Sequence, residues 1–278
     1  MSRRIGPLLT LAVQQSLLAA RKAGAATVSC SLDLDRSTST VELHADAWSF
    51  DGGRFPFLQS CKDRTIYHWV DTAFQPVARF TSSLIKLVPT PWGPPTFEID
   101  GIKMLPTARV SPYADAERKV GLIAPRGKRI LDTCGGLGYF AAWCLAGRAA
   151  HVESYESNPD VIWLRSLNPW SPAADAALTL TAADISERIS IMPGASVDAI
   201  LHDPPRFGIA GQLYSQVFYN ELARVLRPKG MLFHYTGTPN KISRGRDLAS
   251  EAAARLRVAG FTTKPNGDGV LAVKTSSS

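Results

Sequence analysis

The stretch from residue 112 to residue 274 alternates short apolar runs with segments of helical periodicity, and this alternation constrains the fold more than any other feature. The runs are RILD, HVESYE, LTLTAA, VDAILH and MLFHY, with a helical segment between each consecutive pair. Strands and helices in this order predict a doubly wound, mostly parallel α/β sheet with helices on both faces. The final runs, FTTKP and VLAVK, are separated only by the turn NGDG. This hairpin signal predicts one antiparallel strand inserted near the edge of the sheet.

The first 105 residues have a different pattern. One helical face carries Leu9, Ala12, Val13, Leu17 and Ala20, and Gly24 follows them, which predicts a packed first helix rather than a targeting segment. Alternating runs then indicate antiparallel strands, with a hairpin at Asp100–Gly101. We therefore predict two domains: a smaller helix-plus-β domain over residues 1–105 that covers the substrate, and a cofactor-binding domain over residues 106–278.

Composition argues against several classes of protein. No apolar run approaches the ~20 residues that span a bilayer. The four cysteines form no CxxC pair and have no histidine at ligand spacing, so we expect a cytoplasmic protein with neither metal nor disulfide framework. The net charge of +7 permits an anionic partner such as nucleic acid. Because the lysines and arginines are scattered, an ordinary basic enzyme is favoured over a nucleic-acid binder.

A glycine-rich turn, TCGGLG, follows the first strand of the predicted sheet and contains Gly135, Gly136 and Gly138. Glycines at such a turn let backbone N–H groups approach a ligand closely. Asp132 ends the preceding strand, and its carboxylate would repel a pyrophosphate but attract a cation. The turn therefore favours S-adenosylmethionine, which carries a sulfonium and an ammonium group, over a dinucleotide.

Acidic residues also follow the next two strands. Glu156, at the tip of the second strand, is placed to bind a ribose diol, as acids there do in related sheets. Glu153 is its competitor but lies within the strand. Asp184, after the third strand, is placed to reach an adenine amino group, with a helix N-cap as an equal and compatible alternative.

The fourth strand ends in the motif HDPPRF, where ligands bind in open α/β sheets. Asp203 is the candidate general base or hydrogen-bond acceptor for a nucleophilic amine. Pro204 and its neighbour fix the backbone and leave carbonyls available to a substrate. The alternative is a simple stop to the strand. Arg206 could bind a substrate carboxylate or phosphate, with a structural ion pair as the alternative.

These motifs resemble those of class I S-adenosylmethionine-dependent methyltransferases. The Asp-Pro-Pro element is similar to the motif with which amino-methylating members hold a target NH₂, although Arg206 stands in the aromatic place and Cys134 replaces the usual first glycine of the loop. FEIDGIKMLPT, PYADAERKV and the segment from DAILHDPPRF to RPKGMLF are similar to segments of spermidine synthases. SLDL, DGIKM, HDPPRF, LYS and HYTG occur together in a group of predicted, mainly archaeal methyltransferases related to them. The resemblance implies a Rossmann-like fold.

We therefore expect an S-adenosylmethionine-dependent methyltransferase acting on a nitrogen of a small molecule or nucleic-acid base. One alternative is aminopropyl or 3-amino-3-carboxypropyl transfer or cyclisation, although Arg206 would repel a polyamine where spermidine synthases carry a second aspartate. Another alternative is a non-catalytic RNA-binding module on the same fold. For the oligomeric state, the sequence is compatible with a homodimer. The predicted residues are catalytic Asp203, Pro204 and Tyr214; cofactor-binding Asp132, Cys134, Gly135, Gly136, Gly138, Glu156, Asp184 and His202; and substrate-binding Arg206, Phe207, His234 and Tyr235.

Overall fold

The computed structural model describes residues 6–206, 208, 210–237 and 247–276. The chain divides into two compact units, Met1–Asp115 with Trp163–Trp170, and Ala116–Ile162 with Ser171–Ser278. The predicted domain boundary after residue 105 stays a prediction. Among the described residues, no helix combines the length and apolar character that crossing a bilayer requires.

The first unit contains one helix of its own and three small antiparallel sheets. Its elements are β1 (Leu8–Leu9), α1 (Leu11–Lys22), β2 (Thr27–Cys30), β3 (Ser39–Leu43), β4 (Ala47–Phe50), β5 (Gly53–Pro56), β6 (Tyr67–Val70), β7 (Ala73–Pro76), β8 (Ala78–Phe80), β9 (Leu84–Val88), β10 (Thr96–Ile99) and β11 (Ile102–Lys103). The sheets have the strand orders β1-β6-β7, β2-β3-β4-β5 and β11-β10-β9-β8.

The core of this unit consists of the buried face of α1 and a cluster of aromatic side chains. Thr10 caps α1 by accepting a hydrogen bond from the Val13 backbone, and Leu17 is fully buried, so the predicted packed helix is confirmed. Trp48 and Phe55 pack with their ring centroids 4.7 Å apart. The hairpin predicted at residues 100 and 101 is also confirmed, and both residues have the positive φ that its tight turn requires.

The second unit is built on one seven-stranded sheet with the order β14-β13-β12-β15-β16-β18-β17. The elements from α2 onward are α2 (Pro112–Gly121), β12 (Arg129–Asp132), α3 (Tyr139–Ala146), β13 (His151–Glu156), α4 (Pro159–Leu167), β14 (Leu178–Ala182), α5 (Ile185–Arg188), β15 (Val197–His202), α6 (Gln216–Val225), β16 (Leu226–Tyr235), α7 (Leu248–Val258), β17 (Phe261–Asn266) and β18 (Gly269–Lys274). Strands β12 to β16 are parallel, and β18 pairs antiparallel with both of its neighbours. The predicted Rossmann-like α/β fold, with its antiparallel hairpin strand, is confirmed.

The central strands are apolar on both faces because helices cover the sheet on each side. Leu131, Ile200 and Leu232 are completely buried in three adjacent strands. Burial of a side chain of this size contributes roughly 2 kcal/mol relative to exposure. This rigid sheet positions the turns that follow its strands.

Two segments depart from what their residue patterns indicate. The run STVELHADAWSF, which alternates like a single strand, forms two strands, β3 and β4, because a turn closes with a hydrogen bond from the His44 backbone to the Ala47 carbonyl. Pro228 and Gly230 are typical of a helix end, but α6 stops earlier, at Val225, where β16 begins. Leu226 already pairs with Val197 of β15, and residues 227–230 bulge out before pairing resumes at Met231.

Candidate active site

The glycine loop between β12 and α3 adopts a conformation that its residue types dictate. Gly136 and Gly138 have φ values of +49° and +80°, which favour glycine strongly. The Gly135 backbone N–H donates to the Tyr155 carbonyl at 2.7 Å, and Gly138 forms the N-cap of α3. The loop is thereby fixed between the ends of β12 and β13.

Glu156 is held beside this loop by two backbone donors. Its Oε2 accepts from the Gly136 nitrogen and its Oε1 from the Asn158 nitrogen, each at 2.9 Å. The carboxylate is therefore oriented by the protein before any ligand arrives. Its neighbour in the strand, Glu153, accepts instead from the Tyr155 hydroxyl at 2.5 Å.

Two further acids end neighbouring strands. Asp132 is fully buried at the end of β12 and accepts from the Ser154 hydroxyl at 2.8 Å. Asp184 follows β14 and caps α5, where its Oδ1 accepts from the backbone and the hydroxyl of Ser186, each at 2.8 Å. Asp184 is thus confirmed as the N-cap of α5. This capping role is compatible with the predicted contact to an adenine amino group.

Cys134 lies within the glycine loop. Burial, reinforced by the nearby Glu156 carboxylate, raises the pKa of its thiol well above the ordinary value. The group is therefore a protonated thiol at neutral pH and not an activated nucleophile. All four cysteines are free thiols, and the described part of the chain gathers no group of three or more metal-ligating side chains.

The residues around the loop fit S-adenosylmethionine. Asp132, Glu156, Asp184 and Asp203 follow four strands that are neighbours in the sheet, at the end where their turns meet. Such a set of negatively charged hydrogen-bond acceptors suits a cation, a ribose diol and an amino group, and it repels a pyrophosphate. Asp132 and Glu156 would hold the cationic amino-acid part and the ribose, and Asp184 the adenine.

Tyr214 forms a hydrogen bond with the backbone of the Asp-Pro-Pro motif. Its hydroxyl donates to the Pro205 carbonyl at 3.1 Å. Burial, together with the nearby Asp203 carboxylate, raises the pKa of the Tyr214 phenol, so it stays a hydrogen-bond donor at neutral pH. This contact fixes the turn that carries Asp203 and Pro204. Pro204 is buried and Arg206 is exposed, while Phe207 lies outside the described residues.

His202 and His234 form a buried pair beneath the same motif, with ring centroids 4.4 Å apart. His202 Nε2 faces the Leu213 carbonyl at 3.1 Å, so it carries the proton, and Nδ1 accepts from the Thr133 hydroxyl at 2.7 Å. His234 Nε2 lies 2.8 Å from the Tyr219 hydroxyl. Burial lowers the pKa of both rings, that of His234 to about 4, so the pair is neutral. The structure thus places both rings in the core, bonded to protein groups.

The sequence analysis missed Lys119, whose side chain is only 2% exposed. Its Nζ lies 3.8 Å from Asp203 Oδ2 and 3.7 Å from Asp268 Oδ2, the latter in the turn of the β17–β18 hairpin. The same atom lies 4.1 Å from the centroid of the Tyr235 ring. One feature of the sequence could have indicated its burial. Lys119 lies between Ala116 and Val120 on the buried face of α2, where a charged side chain is unusual.

A separate cavity of about 500 Å³ opens on the same unit and contains none of the predicted site residues. Arg129, Glu153, Tyr155 and Arg188 are among the residues that line it. The chemistry predicted from the sequence lies instead at the turns that follow the strands. We therefore place the candidate active site at those turns and not in this cavity.

No protein-family model matches the sequence. The chain is 43% identical over 194 residues to an uncharacterized protein of Methanocaldococcus jannaschii, a match that covers 68% of this chain and 66% of the relative. A spermidine synthase solved with the transition-state analogue AdoDATO is similar in structure, with a TM-score of 0.57, 16% identity and coverage of 72% of this chain and 73% of that one. Spermidine synthase from Thermotoga maritima gives a TM-score of 0.55, 17% identity and 72% coverage of each chain.

At these identities the structural likeness concerns the fold. The chain has the Rossmann-like α/β fold that spermidine synthases have, so the resemblance predicted from the sequence is confirmed at that level. The match to the Methanocaldococcus jannaschii protein spans about two thirds of that protein's length. The reaction is therefore argued from the residues of the site itself.

Proposed function

We propose that this chain is an S-adenosylmethionine-dependent methyltransferase that acts on a nitrogen of a small molecule or a nucleic-acid base. The observation that carries the proposal is the row of carboxylates at the ends of β12, β13, β14 and β15, beside a glycine loop of the required conformation. The 43% identity over 194 residues to a protein of Methanocaldococcus jannaschii supports a relationship to archaeal proteins, as the motifs of the sequence indicate, and says nothing of the reaction.

In this proposal Glu156 and Asp132 orient the donor, and Asp203 acts on the acceptor. When held by Glu156 and Asp132, S-adenosylmethionine would supply an activated methyl group: the acceptor nitrogen would bond to the methyl carbon as the carbon–sulfur bond breaks, and the electron pair of that bond would stay on sulfur. Asp203 accepts a hydrogen bond from the acceptor N–H and takes the proton that the nitrogen loses. Pro204 supplies a carbonyl acceptor next to it, and Tyr214 fixes the turn through Pro205. Because the leaving group is already activated, alignment is the main contribution of the protein.

Aminopropyl transfer is the second candidate, since spermidine synthases have the same fold. That reaction needs a pocket for a polyamine cation. Here Lys119 places a positive charge next to Asp203, and Arg206 adds another charge to the motif. These cations oppose polyamine binding and favour methyl transfer.

Product analysis tests the proposal directly. The protein is incubated with S-adenosylmethionine and cell extract, and the nucleoside products are identified by mass spectrometry. S-adenosylhomocysteine is the expected product. Methylthioadenosine would overturn methyl transfer in favour of aminopropyl, aminocarboxypropyl or cyclisation chemistry. Calorimetry that showed no binding of S-adenosylmethionine would instead favour a binding module without catalysis.

A further inference from the structure

The ammonium group of Lys119 is enclosed by two carboxylates and two aromatic rings. Besides Asp203 and Asp268, the Tyr235 ring lies 4.1 Å and the Phe140 ring 5.9 Å from Nζ. We call these four side chains the cation box. Carboxylates together with aromatic faces are the groups that recognise organic ammonium ions.

The four side chains of the cation box come from four separate parts of the second unit. Phe140 comes from α3, Asp203 follows β15, Tyr235 ends β16 and Asp268 lies between β17 and β18. Lys119 reaches it from α2. The carboxylates of Asp203 and Asp268 are 22% and 23% exposed, whereas the lysine is 2% exposed. The two acidic walls of the box are thus partly accessible, and the cation within it comes from the chain itself.

The two ion-pair distances, 3.8 Å and 3.7 Å, are nearly equal and longer than a direct hydrogen bond. The ammonium therefore lies between the carboxylates rather than against one of them. Asp268 is also bound by Arg118, whose Nη2 lies 2.7 Å from its other oxygen. Asp268 thus already has two cationic partners from α2.

We propose that Lys119 occupies the cation box in place of a substrate ammonium, so that the site takes an acceptor nitrogen that carries no charge and rejects polyamines. This inference rests on the proposed methyltransferase function and narrows its acceptor class. A second cation in the box would meet the charge of Lys119 at short range, in surroundings where water screens it poorly. The uncharged amino group of a base or an amide meets no such repulsion. Unlike an ammonium ion it retains a nitrogen lone pair, which is conjugated with the ring or the carbonyl.

Direct binding tests the proposal without any need for turnover. The probe is putrescine, a diammonium ion at neutral pH, titrated calorimetrically into the full chain. We expect no binding to the wild type at millimolar concentration. The variant Lys119→Ala empties the box, and we expect it to bind putrescine at least about tenfold more tightly than the wild type. Putrescine binding to the wild type as tight as to Lys119→Ala would overturn the proposal.

Two further variants separate charge from volume. Lys119→Met removes the charge but fills much of the same space, so we expect putrescine binding weaker than in Lys119→Ala. Arg118→Ala removes a neighbouring cation from the same helix while Lys119 stays in place, so no putrescine site should open. Binding to Arg118→Ala equal to that of Lys119→Ala would show that only the overall charge of the helix matters, and would overturn the proposal.

Chemical rescue distinguishes an occupied cation site from a purely structural lysine. Lys119→Ala removes the ammonium next to Asp203, so we expect it to lose methyl transfer, and ethylammonium should restore that transfer at least about tenfold because the small cation replaces the missing ammonium in the box. Lys119→Met, whose box is filled, should not recover. Equal responses of the two variants to ethylammonium would contradict the inference. Because the putrescine titration does not require turnover, it decides the inference even if product analysis overturns methyl transfer.

Discussion

The Oε2 atom of Glu156 accepts a hydrogen bond of 2.9 Å from the Gly136 nitrogen, and this bond ties the tip of β13 to the glycine loop that follows β12. The second oxygen is held equally by the Asn158 nitrogen. The carboxylate is thus preorganised next to the loop by donors that cost no side-chain entropy. A ligand that binds here meets an acid whose orientation is already set.

Replacing Glu156 with alanine should weaken the binding of S-adenosylmethionine. Loss of hydrogen bonds to a charged group predicts a dissociation constant raised by roughly 10- to 100-fold. Calorimetric titration measures the change. Glu153→Ala is the matched control, because this acid of the same strand bonds to Tyr155 and should leave the dissociation constant unchanged. An unaltered affinity in Glu156→Ala would remove Glu156 from the ribose site.

Replacing Asp203 with asparagine should abolish turnover while largely preserving cofactor affinity. Loss of a group that accepts a proton predicts a decrease in kcat of about 10²- to 10⁴-fold. Single-turnover assays with labelled S-adenosylmethionine measure it. Asp198→Asn, near the start of β15 and paired with Arg227, should keep activity near that of the wild type. Full activity of Asp203→Asn would refute its catalytic role.

Replacing Tyr214 with phenylalanine removes only the hydroxyl that donates to the Pro205 carbonyl. The Asp-Pro-Pro turn then loses one restraint, and we expect kcat to fall about tenfold because positioning of the reacting groups is sensitive to small displacements. The affinity for S-adenosylmethionine should not change. Tyr155→Phe is the control, since its hydroxyl bonds to Glu153 elsewhere in the unit. Equal kcat values for Tyr214→Phe and the wild type would argue against this role.

Acid should destabilise the fold through the buried His202–His234 pair. The pKa of His234 is about 4 in the folded chain and near 6.5 when exposed, so the unfolded chain binds more protons between these values. The stabilisation is fully present above pH 6.5 and is lost as the pH falls toward 4, by roughly 3 kcal/mol for His234 alone. The lowered pKa of His202 acts in the same direction.

Urea denaturation between pH 6.5 and 5 measures this loss above the range where ordinary carboxylates titrate. In His234→Gln the dependence of the unfolding free energy on pH should be shallower than in the wild type. An equal slope in both proteins would show that His234 does not titrate in the predicted way.

The sequence predicted the sheet and the positions of its acids because these depend on local order along the chain. Asp132 and Glu156 are the last residues of apolar strands and Asp203 directly follows one, and parallel strands bring such ends together. The Asn266–Gly269 hairpin was equally predictable, since the turn type depends on a few residues. These predictions required no knowledge of side-chain packing.

Lys119 and the histidine pair could not be placed in this way. A lysine on an amphipathic helix is usually exposed, and only the tertiary positions of Asp203 and Asp268 explain its burial. His234 was predicted near the substrate because it lies near the end of a strand, yet its ring is in the core, bonded to Tyr219. The direction of one side chain depends on the packing of α6 against the sheet, which the strand pattern does not encode.

The insertion of β18 between β16 and β17 gives the site an order of assembly. The residues proposed to bind the cofactor lie between residues 132 and 203, whereas Asp268 is supplied only by the final hairpin. Arg118 and Asp268 are 150 residues apart in sequence, so their ion pair forms only after nearly all of the sheet has been synthesised. On the proposed function, the residues assigned to the donor are therefore synthesised before Asp268, and the acid that completes the cation box is the last part of the site to be made.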